Sequence, residues 1–306
     1  MARIFIDGSA GTTGLRIYDR IAQRPELELI RLPDALRKDE SARRDALNRA
    51  DIAFLCLPDD AAAAAAGMAD NPDTVLIDTS TAHRTAPGWV YGFPELVGAD
   101  RVARSTRIAN PGCHASGFIA LVAPLVRAGL IDADTALSCV SLTGYSGGGK
   151  KMIAAYQSPD RSPLLAAPRL YGLTQQHKHL REMTALTGLT AAPVFCPIVA
   201  DFYSGMEVTV PLTAAQLHGT AADIARVYGE TYRGPVVRWA AHPAEDGFLS
   251  AAALSGRDGM EISIHGSDDR ILLVARYDNL GKGASGAAIQ NMNLVLGADE
   301  TAGLIL

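Results

Sequence analysis

Short hydrophobic runs alternate with segments of helical periodicity over the first 112 residues. The runs predict strands over residues 3–6, 27–32, 52–57, 75–78 and 107–110. Between them, apolar residues at helical spacing predict helices over 15–22 and 41–48, and the alanines that follow Pro58 predict a third helix. Short strands that alternate with helices are typical of a parallel sheet with helices on both faces. We therefore predict an α/β domain over residues 1–112.

The pattern changes after Pro111. Helices are predicted over 113–125, near 176–186 and over 221–231, and the three prolines of 159–168 indicate an irregular loop. Longer runs predict strands over 137–143, 206–212, 236–240, 260–265 and 271–277. These elements predict a second, α+β domain with a mixed sheet over residues 113–285. A last helix is predicted over 286–296, and we expect the C-terminal segment 286–306 to complete the first domain.

Composition narrows the class of protein. Of the 306 residues, 48% are hydrophobic and 20% charged, which excludes a disordered chain. Lys plus Arg number 28 and Asp plus Glu 33, a formal net charge of -5 that argues against nucleic acid or an anionic membrane as partner. No run resembles a signal peptide or a membrane span, and the four cysteines form no C-x-x-C pair. We expect a reduced, cytoplasmic protein that holds no metal.

A glycine-rich turn joins the first predicted strand to the first predicted helix. It spans seven residues in G-x-x-G-x-x-G spacing: Gly8, Ser9, Ala10, Gly11, Thr12, Thr13 and Gly14. Glycines let the backbone approach a pyrophosphate, and the helix N-terminus offers N–H groups and a positive dipole end. The strand–turn–helix context is the one that this motif requires, so we predict a Rossmann-like dinucleotide site. The alternative is a tight turn that binds nothing.

The end of the second predicted strand indicates which dinucleotide is bound. NAD sites usually carry an acidic residue there, which holds the ribose hydroxyls. This chain carries Arg31 instead, followed by Arg37 and Lys38. Because an arginine accommodates a 2′-phosphate, we predict NADP(H) as the cofactor. Arg37 and Lys38 are equally consistent with solvated surface charges.

Cys113 lies where a strand-like run gives way to a helix, after Asn110, Pro111 and Gly112. A helix N-terminus stabilises a thiolate and lowers the pKa of the thiol, and its N–H groups suit an oxyanion. Beside a nicotinamide, such a thiolate attacks an activated acyl carbon and forms a thioester, which hydride then reduces to an aldehyde. The other three cysteines lie in strand-like runs and are expected to be buried hydrophobic residues.

Two histidines are candidates for the acid or base that this chemistry needs. His177 and His179 lie at a predicted helix start, two residues apart, and therefore do not share one helical face unless the turn is irregular. The spacing does not suit a metal site. Either histidine fits the catalytic role with the other structural, and two surface histidines are the alternative.

Together these residues resemble the N-acetyl-γ-glutamyl-phosphate reductase family of arginine biosynthesis, in its short form. The wider superfamily includes aspartate-semialdehyde dehydrogenase. The resemblance covers nearly the whole chain, and the order and spacing of its motifs make it specific. In chain order they are 8–14 (GSAGTTG), 78–84 (DTSTAHR), 92–95 (GFPE), 110–116 (NPGCHAS), 144–150 (GYSGGGK), 177–182 (HKHLRE) and 278–286 (DNLGKGASG).

The resemblance implies reduction of N-acetyl-γ-glutamyl phosphate by NADPH to N-acetylglutamate semialdehyde with release of phosphate. It implies Cys113 as nucleophile, His179 or His177 as acid/base with His179 preferred, and a homo-oligomer, dimeric or tetrameric. Further cofactor contacts are implied at Ser80, Gly148, Asn279, Lys282 and Gly283. Contacts to the substrate anions are implied at Arg84, Asn110 and Lys150, although Arg84 fits a structural ion pair equally well.

Two other functions fit the same residues. One is the reduction of a different acyl phosphate, such as β-aspartyl phosphate or a carrier-linked substrate. The other is an NADP-binding regulatory protein in which Cys113 senses oxidants. Turnover of an acyl phosphate separates the enzymes from the sensor.

Overall fold

The computed structural model describes residues 1–241, 243 and 245–306, except for the side chain of Thr12. The described residues form two compact units. The first unit comprises Met1–Gly112 and Ala284–Leu304, and the second comprises Cys113–Gly283 and Ile305–Leu306. None of the helices in this described part of the chain has the length and apolar character that crossing a bilayer requires.

Thirteen strands and ten α-helices are described. The strands are β1 (Ala2–Asp7), β2 (Leu27–Ile30), β3 (Ile52–Leu55), β4 (Val75–Asp78), β5 (Val90–Tyr91), β6 (Arg107–Ala109), β7 (Ser138–Gly144), β8 (Arg169–Leu170), β9 (Val194–Ala200), β10 (Met206–Thr213), β11 (Val237–Trp239), β12 (Met260–Ser267) and β13 (Arg270–Tyr277). The helices are α1 (Thr12–Ile21), α2 (Glu40–Arg49), α3 (Asp59–Ala66), α4 (Pro94–Val97), α5 (Ala99–Ala103), α6 (Cys113–Arg127), α7 (Gly149–Gln157), α8 (His179–Thr187), α9 (Ala221–Thr231) and α10 (Gly286–Val295).

The first unit is built on a parallel six-stranded sheet in the order β2-β1-β3-β4-β6-β5. Side chains alternate across it, so that Ile4 and Ile6 of β1 join one core cluster and Phe5 joins another. The predicted parallel sheet is confirmed. Helix α10 packs into the first cluster through Ile289 and Met292. It ends at Val295, so the helix does not extend through the expected segment 286–306.

The second unit is built on a mixed seven-stranded sheet in the order β11-β12-β13-β10-β7-β9-β8. The pairs β7–β9 and β11–β12 are parallel and the other neighbours antiparallel, which confirms the predicted mixed sheet. Val208 and Val210 of β10 are buried, whereas Thr209 between them is half-buried. Helices α6 and α9 contact the sheet, and α6 buries every residue from His114 to Leu125. One face of the sheet therefore carries the core of this unit.

Candidate active site

Cys113 is the first residue of α6, as the sequence pattern predicts, and it is half-buried. The backbone of Gly283 lies directly against it, because a Cβ added at residue 283 would stand 3.1 Å from the Cys113 Cβ. A side chain at residue 283 would therefore press on Cys113 and require one of the two to shift by a few tenths of an ångström. Gly283, expected among the cofactor contacts, is thus a neighbour of the candidate nucleophile.

The other cysteines have different surroundings. Burial raises the pKa of the Cys56 thiol to about 12, and it also raises the pKa of Cys139. A raised pKa keeps a thiol protonated and unreactive at neutral pH. Cys139 is buried, as the sequence indicates, whereas Cys56 and Cys196 are half-buried.

His177 and His179 lie on either side of a helix start. Helix α8 begins at His179, and His177 belongs to the segment before it. The backbone N–H of His179 donates to Nδ1 of His177 over 3.2 Å, and the two ring centroids are 4.7 Å apart. The irregular turn therefore brings together two histidines that a regular helix would separate.

The two rings differ in environment. His177 is half-buried, and burial together with the charge of Lys178 lowers its pKa below the ordinary value. His179 is buried, and its Nε2 lies 3.9 Å from Oε1 of the buried Glu182. A carboxylate beside an imidazole orients the ring and stabilises its protonated form. At 3.9 Å the His179 Nε2 and Glu182 Oε1 atoms are within ion-pair distance but beyond hydrogen-bond distance.

The side chain of Gln175 anchors this segment to the sheet. Its Nε2 donates to the Phe195 carbonyl over 2.7 Å, and its Oε1 accepts from the Phe195 N–H at 2.8 Å. Gln175 has a positive φ of 55°, which is strained for a residue with a side chain. The histidine segment is therefore tied to β9 by two hydrogen bonds that resemble those of a strand.

A third histidine, His114, completes the cluster, although no feature of its sequence context marks it as a candidate. It is buried, with Nδ1 2.7 Å from Ser141 Oγ and Nε2 2.6 Å from Tyr171 Oη. Its ring centroid lies 5.8 Å from that of His177 and 5.6 Å from that of His179. Burial, and next the charge of His177, lower the pKa of His114 to about 3. His114 is neutral at physiological pH, and only its position next to Cys113 could have indicated it.

Tyr171 interacts both with His114, through its hydroxyl, and with Cys113, through the charge of the thiolate. Burial raises the pKa of Tyr171, and the negative charge of a Cys113 thiolate raises it further. The hydroxyl therefore stays protonated as a hydrogen-bond donor.

Among the described residues, no group of three or more His, Cys, Asp or Glu side chains is placed to hold a metal ion.

The glycine-rich turn of the first unit forms a backbone cradle. Gly8 has a φ of +88°, and a side chain there would collide with the Cys56 carbonyl. A Cβ at Gly14 would stand 2.5 Å from the Gly8 carbonyl oxygen, and the Gly11 N–H donates to that same oxygen over 3.0 Å. The turn leads into α1 next to the point between β1 and β3 where the strand order reverses, which is where nucleotides bind in such sheets.

Four further residues predicted to bind cofactor or substrate lie in the first unit. Arg31 follows β2, is exposed, and places its guanidinium carbon 5.3 Å from the centroid of the Tyr18 ring. Ser80 donates from its N–H and its hydroxyl to the Asp78 carboxylate, each over 2.8 Å. Arg84 is buried and donates to the carbonyls of Asn110 and Thr79, at 2.9 and 3.2 Å. The Asn110 side chain donates to the Ala284 carbonyl over 3.0 Å.

The remaining predicted residues belong to the second unit. Asn279 is buried, donates to Ser146 Oγ over 3.0 Å and accepts from the Gly205 N–H at 3.0 Å. Gly148 and Lys150 are exposed at the start of α7, and Lys282 is fully buried. The structure thus brings Asn279 to the loop that precedes α7.

Two family models match the chain. Residues 33–104 match the semialdehyde dehydrogenase NAD binding domain, and residues 113–279 match the semialdehyde dehydrogenase dimerisation domain. The second match alone covers more than half of the chain. It contains Cys113, both candidate histidines and Asn279.

Comparison with known proteins gives the same family. The chain is 46% identical over 310 residues to N-acetyl-gamma-glutamyl-phosphate reductase of Brucella ovis, covering 96% of this chain and 99% of that protein. Its fold is similar to the crystal structure of aspartate semialdehyde dehydrogenase II from Vibrio cholerae, with a TM-score of 0.73, 15% identity, and coverage of 97% and 99%. It is also similar to aspartate semialdehyde dehydrogenase with NADP from Candida albicans, with a TM-score of 0.66, 15% identity, and coverage of 97% and 99%. The chain belongs to the semialdehyde dehydrogenase family and, within it, to the N-acetyl-γ-glutamyl-phosphate reductases.

Proposed function

We propose that this protein reduces N-acetyl-γ-glutamyl phosphate to N-acetylglutamate semialdehyde with NADPH, and releases phosphate, as a step of arginine biosynthesis. The observation that carries the proposal is Cys113 at the first residue of α6, in the same unit as the paired His177 and His179. Thioester chemistry needs a nucleophilic thiolate and a group that transfers protons. Both are residues of this chain, and the 46% identity to the Brucella ovis reductase supports the substrate.

In the first step, the Cys113 thiolate attacks the γ-acyl carbon. The carbon–sulfur bond forms, the carbon–oxygen bond to phosphate breaks, and phosphate leaves with the bonding electron pair. The product is a thioester on Cys113. Because α6 begins at Cys113, its first-turn dipole favours both the thiolate and the oxyanion that forms during the attack.

In the second step, the thioester carbonyl is reduced and the sulfur is expelled. NADPH supplies the hydride. The carbonyl oxygen gains negative charge and then re-forms its double bond as the thiolate leaves with its electron pair, which yields the aldehyde and regenerates Cys113. We assign to His179 the removal of the Cys113 thiol proton before the attack and its return to the sulfur after the sulfur is expelled. Glu182, 3.9 Å from His179 Nε2, favours the imidazolium that exists in between. His177, whose Nδ1 accepts the His179 N–H, holds the segment in place.

We infer that the first unit holds the dinucleotide and that the second carries catalysis and association. Gly8 and Gly14 allow the tight turn, since a side chain at Gly8 would collide with the Cys56 carbonyl and one at Gly14 with the Gly8 carbonyl. A glycine turn between a strand and a helix at this place in the sheet supports a pyrophosphate site. Arg31, exposed beside Tyr18, supports NADP(H) over NAD(H) through a contact to the 2′-phosphate.

We also keep Ser80, Gly148, Asn279 and Lys282 as cofactor contacts, and Arg84, Asn110 and Lys150 as contacts to substrate anions. The hydrogen bonds of Arg84 and Asn110 within the first unit support a structural role for these two residues as well.

We propose that a second copy of this chain covers the other face of the mixed sheet. This outer sheet face is formed by Val140, Leu142, Val194, Cys196, Pro211 and Leu272, which the strand register places on one side. Val194 is 61% and Leu272 43% exposed, and they line a cavity of about 950 Å³. An exposed apolar surface of this kind is typical of an interface. The family description of residues 113–279 as a dimerisation domain supports a second copy as its partner.

The decisive experiment measures NADPH formation in the reverse direction, from N-acetylglutamate semialdehyde, NADP⁺ and phosphate. We expect a phosphate-dependent signal that is lost in Cys113→Ser and kept in Cys196→Ser, whose cysteine lies on the outer sheet face. Turnover of aspartate semialdehyde instead would assign the protein to a different acyl phosphate. NADPH binding without any turnover, together with oxidation of Cys113, would assign it to the redox sensors.

A further inference from the structure

A tyrosine hydroxyl from the sheet takes part in the first turn of α6. In a regular helix the N–H of residue 117 donates to the carbonyl of residue 113. Here the Tyr277 hydroxyl bonds to both groups. It accepts from the Gly117 N–H at 3.0 Å and donates to the Cys113 carbonyl oxygen over 2.5 Å. The backbone of Cys113 is therefore linked to the end of β13.

Residue 117 must be small for this bridge to form. A Cβ at Gly117 would stand 2.7 Å from Tyr277 Oη and 2.6 Å from Val208 Cγ2. Tyr277 is fully buried, and the strand register pairs it with Met206 of β10 and Met260 of β12. Burial raises the pKa of Tyr277 well above its ordinary value, so the hydroxyl keeps the proton that it donates.

The segment that follows Tyr277 contacts Cys113 a second time, through Gly283. A buried carboxylate fixes the shape of this segment. Asp278 accepts from the Ser204 hydroxyl at 2.8 Å, the Gly256 N–H at 2.5 Å and the Leu280 N–H at 2.7 Å. Its carbonyl also accepts from the N–H groups of Gly281 and Gly283, each at 3.0 Å. Tyr277 and Gly283 therefore contact Cys113 from the two ends of one internally braced turn.

We propose that Tyr277 is a positioning residue for Cys113. Its hydroxyl and the backbone of Gly283 fix where the cysteine Cα stands, and so set the direction of Sγ and of the first-turn N–H groups. This inference rests on the proposed role of Cys113 as nucleophile. Misplacement of a reacting group by about 1 Å costs on the order of a hundredfold in rate, so a residue that touches no substrate has a large effect here.

The test compares Tyr277→Phe with a matched control, Tyr228→Phe. Tyr228 is also fully buried and also donates to an α6 carbonyl, that of Leu121 at 2.6 Å, two turns beyond Cys113. Both variants lose one buried hydroxyl, so both are expected to lose similar stability in urea unfolding. Only Tyr277→Phe is expected to lower kcat, by about tenfold to a hundredfold, with the KM for NADPH unchanged.

A second readout needs no turnover. Alkylation of Cys113 by iodoacetamide, followed by mass spectrometry of its peptide across pH, reports the reactivity of the thiol itself. We expect Tyr277→Phe to change the rate and the pH midpoint of alkylation, and Tyr228→Phe to leave both unchanged. If Tyr277→Phe does not fold, Gly283→Ala, which presses on the Cys113 Cβ, is expected to show the same change.

The outcomes separate this inference from the proposed function. Loss of stability in Tyr277→Phe with unchanged kcat and alkylation would overturn the positioning role. A wild-type protein without reductase activity would overturn the proposed function, whereas the alkylation profiles would still decide whether Tyr277 positions the thiol.

Discussion

The backbone N–H of His179 donates a hydrogen bond to Nδ1 of His177 over 3.2 Å. The Nδ1 atom of His177 is therefore an acceptor, and a neutral His177 carries its proton on Nε2. His179, the donor of this bond, stands beside Glu182. The two histidines are thus not equivalent, although the spacing of the residues alone fits either one to the catalytic role.

Replacing each histidine by asparagine tests this difference. We expect His179→Asn to lower kcat by about 10²–10⁴-fold, because it removes the group that transfers protons. His177→Asn is expected to cost less, since the asparagine oxygen still accepts the His179 N–H. Steady-state kinetics of the two variants checks this, with His218→Asn as the control for an exposed histidine paired with Asp132. A larger loss at His177 would transfer the catalytic role to that residue.

The buried His114 makes the fold sensitive to acid. Its pKa is about 3 in the folded protein and about 6.5 in the unfolded chain. Below pH 6.5 the unfolded state therefore binds a proton at this histidine that the folded state does not bind. The contribution of His114 to the free energy of unfolding is complete above pH 6.5 and decreases as the pH falls toward 3. At pH 5.5 this histidine is expected to cost about 1.4 kcal/mol of unfolding free energy relative to pH 7.5.

Urea unfolding at pH 7.5 and 5.5, at one protein concentration, measures this loss. In His114→Asn, the difference between the free energies of unfolding at the two pH values is expected to be smaller by that amount. The lowered pKa of His177 acts in the same direction and leaves a residual slope in the variant. An equal slope in both proteins would show that His114 takes up its proton in the folded state.

Arg31 is expected to select the cofactor. Because a charge-assisted contact to a phosphate contributes about 1.5–3 kcal/mol, Arg31→Ala should raise the KM for NADPH by about tenfold to a hundredfold. The KM for NADH should hardly change. Arg37→Ala is the matched control, since Arg37 pairs with Asp34 at 2.8 Å. Parallel increases in both KM values for Arg31→Ala would contradict a contact to the 2′-phosphate.

The outer sheet face is expected to mediate association. Leu272→Glu places a charge on this apolar surface, and burying it against a second copy would be costly. We expect the variant to have a lower mass than the wild type in light scattering. Leu164→Glu is the control, because Leu164 is 75% exposed but lies in the turn before β8 rather than on this face. An unchanged mass for Leu272→Glu would place the interface elsewhere.

Local patterns in the sequence determined most of the longer strands and helices and two parts of the candidate site. The longer strands, the start of α6 at Cys113 and the glycine-rich turn each depend on neighbours a few residues away. The two-residue strands β5 and β8 are too short to show a period, so the sequence does not predict them. The seven-residue strand β9 and the helices α4, α5 and α7 are also absent from the predicted elements. The start of α8 at His179 is likewise not visible in the pattern, which predicts a helix near residue 176.

Only the tertiary structure decided which side chains surround Cys113. His114 is neutral because burial lowers its pKa, with Ser141 and Tyr171 at its two ring nitrogens, and Tyr277 meets Cys113 across 164 residues of sequence. Arg84 and Asn110, which we propose as substrate contacts, also donate to main-chain carbonyls of their own unit. Hydrogen bonds between distant segments leave no local pattern, because they depend on strand register and on burial. The sequence therefore identifies the nucleophile, and the folded chain identifies the residues that hold it.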